Sequence, residues 1–132
     1  MAVLVDTSAF YAMLDRADAN HVSAADEWRR LLGRGTLLLT HNYIVVEAAA
    51  LVQNRLGTAA LRHFLEDLLA PVRTEWMDQE RHQKTVDLLL PAGRRKLSLV
   101  DCASFVVMRE LGIREAFCFD AHFREAGFQV LP

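Results

Sequence analysis

Ala2-Val3-Leu4-Val5-Asp6-Thr7-Ser8 opens the chain with four apolar residues, a carboxylate and two hydroxyls. The apolar run, rich in valine, suits a strand buried on both faces. Thr7 and Ser8 are good N-caps, and Phe10, Met13 and Leu14 follow at helical spacing. The unit is therefore strand, acid, helix. It recurs near the end of the chain, where Ala116-Phe117-Cys118-Phe119 runs into Asp120-Ala121-His122-Phe123. Between the two, residues 36–40 (Thr-Leu-Leu-Leu-Thr) read as a second strand, followed by a helix over 42–56 that Gly57 closes. Residues 72–77 read as a third strand. There Arg73 and Glu75 alternate with Val72, Thr74 and Trp76, the pattern of an edge strand with one wetter face. Helices are expected over 21–32, over 58–69 with Thr58 as cap, over 78–90, and over 98–111. Pro91-Ala92-Gly93 is expected to break the chain, and a short strand over 128–131 ends it. Strand–helix alternation with short connections predicts an α/β fold, a parallel sheet covered by helices on both faces. Ligands bind such sheets beyond the carboxyl ends of the strands, where Asp6 and Asp120 stand.

The chain has 132 residues, enough for one domain over 1–132 and short for two. It is 52% hydrophobic and 24% charged, an ordinary globular balance. No apolar stretch has spanning length, so no membrane association is expected. The N-terminus lacks a basic region and meets Asp6 early, which argues against a signal peptide and for a cytoplasmic protein. Cys102 and Cys118 both lie in apolar runs and read as core residues in a reducing compartment, not as a disulfide or zinc site. Fifteen basic and seventeen acidic residues give a net charge of −2, which by itself does not announce a nucleic-acid binder.

Four acids stand out: Asp6, Glu47, Asp101 and Asp120. Each aspartate has a structural reading. Asp6 can cap the first helix, Asp101 makes a Ser-x-x-Asp capping pattern with Ser98, and Asp120 suits a turn or cap. Glu47 resists one, because its helical neighbours Tyr43, Ile44, Ala50 and Leu51 are not charged. Converging carboxylates repel: two charges about 4 Å apart cost roughly 4 kcal/mol at an effective dielectric near 20. Divalent cations reverse that cost, and an acid-only oxygen site points to Mg²⁺ or Mn²⁺. Such sites support phosphodiester cleavage. His122, beside Asp120, reads as a surface or capping histidine and not as a ligand.

In the order and spacing of these acids the chain resembles a PIN-domain ribonuclease of the VapC toxin type, from the VapBC toxin–antitoxin systems. The likeness covers essentially the whole chain. It rests on Val3-Leu4-Val5-Asp6-Thr7-Ser8-Ala9, on Glu47, on Leu97-Ser98-Leu99-Val100-Asp101-Cys102-Ala103-Ser104 and on Phe119-Asp120-Ala121-His122-Phe123. It implies a three-layer α/β/α PIN-like domain, its parallel sheet of four to five strands ordered 3-2-1-4-5. It implies an endoribonuclease dependent on one or two Mg²⁺ or Mn²⁺ ions, cutting RNA, forming a homodimer and neutralised by a VapB-like antitoxin. Asp6, Glu47, Asp101 and Asp120 become its catalytic, metal-holding acids, with Asp6 and Asp101 the most direct ligands. Thr7 resembles the small hydroxyl residue that often follows the first acid and holds a water or a phosphate. Some relatives carry a fifth acid where this chain has His122.

Three other readings compete. A PIN fold can serve as a catalytically silent binding module, although such a module has no reason to keep four mutually repelling acids. A housekeeping RNA-processing nuclease is also consistent, although the chain has no added RNA-binding segment. A phosphatase or receiver domain fits less well, since no Asp-x-Asp-x-Thr follows the first strand. The loop Arg94-Arg95-Lys96 is a candidate for flanking phosphates or a solvated basic loop. The apolar helical faces at Trp28, Leu31 and Leu32 and at Phe64, Leu65 and Leu68 are candidates for partner contact or ordinary core.

Overall fold

A computed structural model describes every residue, Met1–Pro132. The chain runs β1 (Ala2–Val5), α1 (Thr7–Leu14), α2 (His21–Gly33), β2 (Leu37–His41), α3 (Asn42–Leu56), α4 (Thr58–His63), a π-helical turn (Phe64–Leu68), β3 (Val72–Glu75), α5 (Gln79–Ala92), α6 (Leu99–Leu111), β4 (Glu115–Phe117), α7 (Ala121–Glu125) and β5 (Gln129–Leu131). The five strands form one parallel sheet in the order β3-β2-β1-β4-β5. This is the sheet expected from the alternation and the resemblance.

β1 lies at the centre because it alone is apolar at every position. Leu4 pairs with Leu39 on one side and with Ala116 on the other, and Val3, Leu4 and Val5 are fully buried. The chain leaves β1 for β2 on one side and returns to β4 on the other. The carboxyl end of β1 therefore sits at the reversal of strand order, where a crevice opens. β3 is an edge strand, as its alternation foretold. Beneath the helices, Phe10 meets Phe64 edge-on with ring centroids 5.1 Å apart, and Phe105 meets Phe123 at 5.2 Å. Cys102 and Cys118 are free and buried, and burial pushes the Cys118 thiol up to about 12. No helix is long and apolar enough to cross a membrane.

Three local expectations are corrected. The helix expected over 58–69 is α-helical only to His63. The π-helical turn that follows takes an extra residue, burying Phe64 completely while Leu65 stays 44% exposed. The position before α4 belongs to Gly57, whose φ of 91° suits glycine, and Thr58 is the first helical residue. Pro91 does not stop α5 but lies in its last turn, and the helix ends at Gly93 in the left-handed region. The missing N–H there orphans only the carbonyl of Asp87, a solvent-exposed residue, so water replaces the bond cheaply.

Candidate active site

Asp6, Asp101 and Asp120 all begin helices at the carboxyl end of the sheet. Asp6 is the N-cap of α1: its Oδ2 accepts from the Ser8 N–H at 3.2 Å and the Ser8 hydroxyl at 2.8 Å. Asp101 completes a capping box, its Oδ2 accepting from the Ser98 N–H at 3.2 Å while its own N–H donates to Ser98 Oγ at 3.0 Å. Asp120 caps α7, its Oδ1 accepting from the His122 N–H at 2.9 Å. The capping readings are all correct, and they do not compete with a ligand reading. In each case one oxygen caps and the other accepts no hydrogen bond.

Ser8 also fixes the acids to one another. Its hydroxyl oxygen accepts from the Phe119 N–H at 2.9 Å, and the Asp6 N–H donates to the Phe117 carbonyl at 3.0 Å. The turn holding Asp6 is thus bonded to the segment that delivers Asp120. Ser8, read as an N-cap in its own right, instead anchors the Asp6 carboxylate.

A cleft of roughly 470 Å³ opens over these groups, with Asp6, Thr7, Glu47, Lys96, Asp101 and Asp120 among its walls. Asp6 is 4% exposed. Burial raises its pKa to about 7; the Ser8 hydrogen bonds oppose the rise, and the Asp101 and Asp120 charges add to it. Burial likewise raises Asp101, with Asp120 contributing. Thr7 Oγ1 is buried without a hydrogen-bond partner, and it is the sole side-chain oxygen or nitrogen in the molecule of which this is true.

Glu47 lines the same cleft but is exposed. The uncharged helical neighbours that set Glu47 apart do not bury it. α3 buries only the narrow row Ile44, Ala48 and Val52, and it leaves Val46 68% exposed beside Glu47. Glu47 is a wall residue facing solvent, not a buried charge. The basic loop divides in function: Lys96 lines the cleft, whereas Arg94 pairs with Glu125 at 2.6 Å.

Two features escaped the sequence reading. His41, fully buried, is the N-cap of α3; its Nδ1 accepts from the Ile44 N–H at 3.3 Å. Nε2 therefore carries the proton and donates to Ser104 Oγ at 2.8 Å, which donates in turn to the Val100 carbonyl at 3.1 Å. This chain of bonds ties the helix carrying Glu47 to the helix carrying Asp101. Burial, with the Arg81 charge adding, pushes His41 down to about 3, so it is neutral at physiological pH. The second feature is His122. Its ring, with Asp101 and Asp120, offers ligand atoms that all lie within 4.8 Å of one another.

The PIN domain family model matches residues 3–129. The chain belongs to the PIN-domain family. Within that family it is of the VapC toxin type. It is 33% identical over 132 residues to the 23S rRNA-specific endonuclease VapC20 of Mycobacterium tuberculosis, in two strains, covering 98% of each chain. The crystal structure of Mycobacterium tuberculosis VapC20, described as a Sarcin-Ricin loop cleaving toxin, superposes with a TM-score of 0.85. It is 32% identical, with 98% of this chain and 99% of that one covered. PIN nucleases generally use a divalent metal, and the residues of this PIN domain suit one. Its cleft offers carboxylate oxygens without hydrogen-bond partners and an orphaned threonine hydroxyl, with no thiolate among the lining residues.

Proposed function

We propose that this PIN domain is a Mg²⁺- or Mn²⁺-dependent endoribonuclease, the toxin of a VapBC-type pair, acting in the cytoplasm. The observation that carries the reading is the convergence of three capping aspartates, each with one oxygen left over, on a single cleft. Asp6 and Asp101 are the direct ligands, Asp120 and Glu47 complete the site, and one or two cations are held. A bound cation supplies Lewis-acid polarisation of the phosphodiester and an activated water. The chain's own residues do the rest. Ser8 holds the Asp6 carboxylate in place and Ser98 holds that of Asp101. Thr7 Oγ1 is the donor poised for a water or a phosphate oxygen. Lys96 offers a cation to a neighbouring phosphate. Glu47, facing solvent on a rigid helix, is placed to orient the attacking water.

The relatives direct the choice of substrate: the 23S rRNA of the large ribosomal subunit is the RNA to test first. Two surfaces support the expected protein partners. A groove of about 380 Å³, lined by Met13, Trp28, Leu32 and Leu68 among others, is apolar enough to take an antitoxin segment. Trp28, Leu32 and Leu68, expected as partner contacts or core, face this groove, whereas Leu31 and Phe64 are core. Val46 and Trp76, 68% and 70% exposed, are candidate contacts in the expected homodimer.

The test is cleavage of 23S rRNA, and of a hairpin excised from it, by metal-stripped protein with added Mg²⁺, Mn²⁺ or chelator. Site-specific cleavage restored by either metal and abolished by chelator is expected. Equal cleavage in chelator, or none under any condition, contradicts the reading.

A further inference from the structure

His122 lies two residues after Asp120, in the first turn of α7, and brings a nitrogen donor to a site otherwise made of carboxylates. Its side chain is 16% exposed, and Nε2 lies 4.0 Å from Asp120 Oδ1. On the other side of the ring, Nδ1 lies 3.6 Å from Glu125 Oε2 and 3.5 Å from Arg94 Nη2. Arg94 is already committed to Glu125 at 2.6 Å, which holds the Glu125 carboxylate against the ring. The imidazole therefore has a carboxylate beside each ring nitrogen, Glu125 at Nδ1 and Asp120 at Nε2, with Asp101 also within reach. Ligation through Nε2 takes the tautomer in which Nδ1–H turns from the Arg94 guanidinium, which can only donate, to the Glu125 carboxylate, the kind of partner that ligating histidines have.

Ligand atoms around a six-coordinate ion of this size are separated by about 3 Å when adjacent and about 4.3 Å when opposite, given bonds near 2.1–2.2 Å. The Asp101, Asp120 and His122 atoms fall within 4.8 Å of one another, so a small rotation of the side chains closes them on one ion. His122 is not among the walls of the main cleft, whereas Asp101 and Asp120 are, so this position lies at the cleft's edge and shares both aspartates with it. The orphaned Thr7 hydroxyl lines the main cleft with Asp101 and Asp120, an independent sign that a ligand belongs beside these two acids.

We propose that His122 is a nitrogen ligand, with Asp101 and Asp120, of a divalent-cation position that prefers Mn²⁺ to Mg²⁺, and that Glu125 and Arg94 orient its ring. The inference rests on the nuclease reading above and deepens it by naming the ion. Mg²⁺ is a hard cation that takes oxygen, whereas imidazole suits transition ions, whose affinities rise along the first row. A nitrogen donor beside two carboxylates thus shifts the position's selectivity toward transition ions.

Metal-stripped protein is titrated with Mn²⁺ and with Mg²⁺ by calorimetry, and the Mn²⁺ form is measured by pulsed electron paramagnetic resonance for coupling to ¹⁴N. Wild type is expected to show nitrogen coupling and at least about ten-fold tighter Mn²⁺ than Mg²⁺ binding at one position. His122→Gln is expected to lose the coupling and weaken Mn²⁺ about ten-fold or more, with Mg²⁺ changed less than three-fold. Glu125→Gln keeps the coupling and weakens Mn²⁺ by about ten-fold, the usual size of an outer-partner effect. Because Glu125 is half exposed, that variant reports even if the first folds poorly. Mn²⁺ binding without nitrogen coupling, or coupling that survives in His122→Gln, overturns the assignment and leaves the acidic site standing. Failure of wild type to bind either metal overturns the assignment together with the nuclease reading.

Discussion

Asp6→Asn is expected to abolish RNA cleavage and, in metal-free protein, to stabilise the fold at neutral pH and above. Both effects come from burying a carboxylate where the fold alone does not want one. Burial lifts its pKa from 3.8 to about 7, so the native state binds a proton that the unfolded chain gives up between those values. The stability linked to that proton is fully present below pH 3.8 and is lost as pH rises through about 7. By pH 8 the ionised group costs about 4 kcal/mol relative to the protonated one. Asparagine avoids the cost, and its carbonyl oxygen can still accept from the Ser8 N–H and hydroxyl. Activity moves the other way. Losing one anionic ligand removes several kcal/mol of transition-state stabilisation, and about 4 kcal/mol corresponds to roughly a 10³-fold loss of rate. Denaturant titrations in chelator check the first effect. The two proteins should match near pH 3.5, and the variant should be the more stable at pH 8 by about 4 kcal/mol, about 1.5 kcal/mol of it already present at pH 5. A variant less stable at both pH values contradicts the account.

His41→Ala is expected to cost about 3 kcal/mol at pH 7. The change removes the cap of α3, leaves the Ile44 N–H without its acceptor and opens a cavity in the core. Its pH signature is opposite to that of Asp6. The unfolded histidine takes up a proton near pH 6.5, which the buried one refuses until about 3, so stability falls as pH drops through that window. In wild type the Asp6 and His41 slopes oppose each other between about pH 4 and 6.5. In Asp6→Asn the His41 slope is uncovered, at up to about 1.4 kcal/mol per pH unit. The difference between Asp6→Asn and Asp6→Asn/His41→Ala over pH 4–6.5 isolates it. Parallel curves for these two variants contradict the assignment of the slope to His41.

The sheet was legible because its strands are short apolar runs, each punctuated by an acid, hydroxyl or glycine. The strand order came from the resemblance to the PIN family, while Asp6 and Asp120 marked the carboxyl ends of two strands. β3 declared itself an edge through Arg73 and Glu75. What escaped was whatever depends on residues distant in sequence. His41 and Ser104 are 63 positions apart, and nothing local marks them as partners. His122 is ordinary until Asp120 and Glu125 are seen beside its two ring nitrogens. Glu47 does line the cleft, but its uncharged neighbours could not tell its exposure, since an apolar helical face can equally look outward. The capping motifs misled by seeming to exhaust the aspartates, since sequence cannot show that a carboxylate has a second oxygen to spare.

The central claim is that these carboxylates gather a divalent cation. It is tested most directly by anomalous scattering at the manganese edge from crystals of wild-type protein grown with Mn²⁺. The account predicts a strong peak in the cleft, within coordination distance of Asp6 and Asp101 oxygens, and no such peak in Asp6→Asn crystals. A wild-type cleft without manganese, or a peak there that persists in Asp6→Asn, contradicts it.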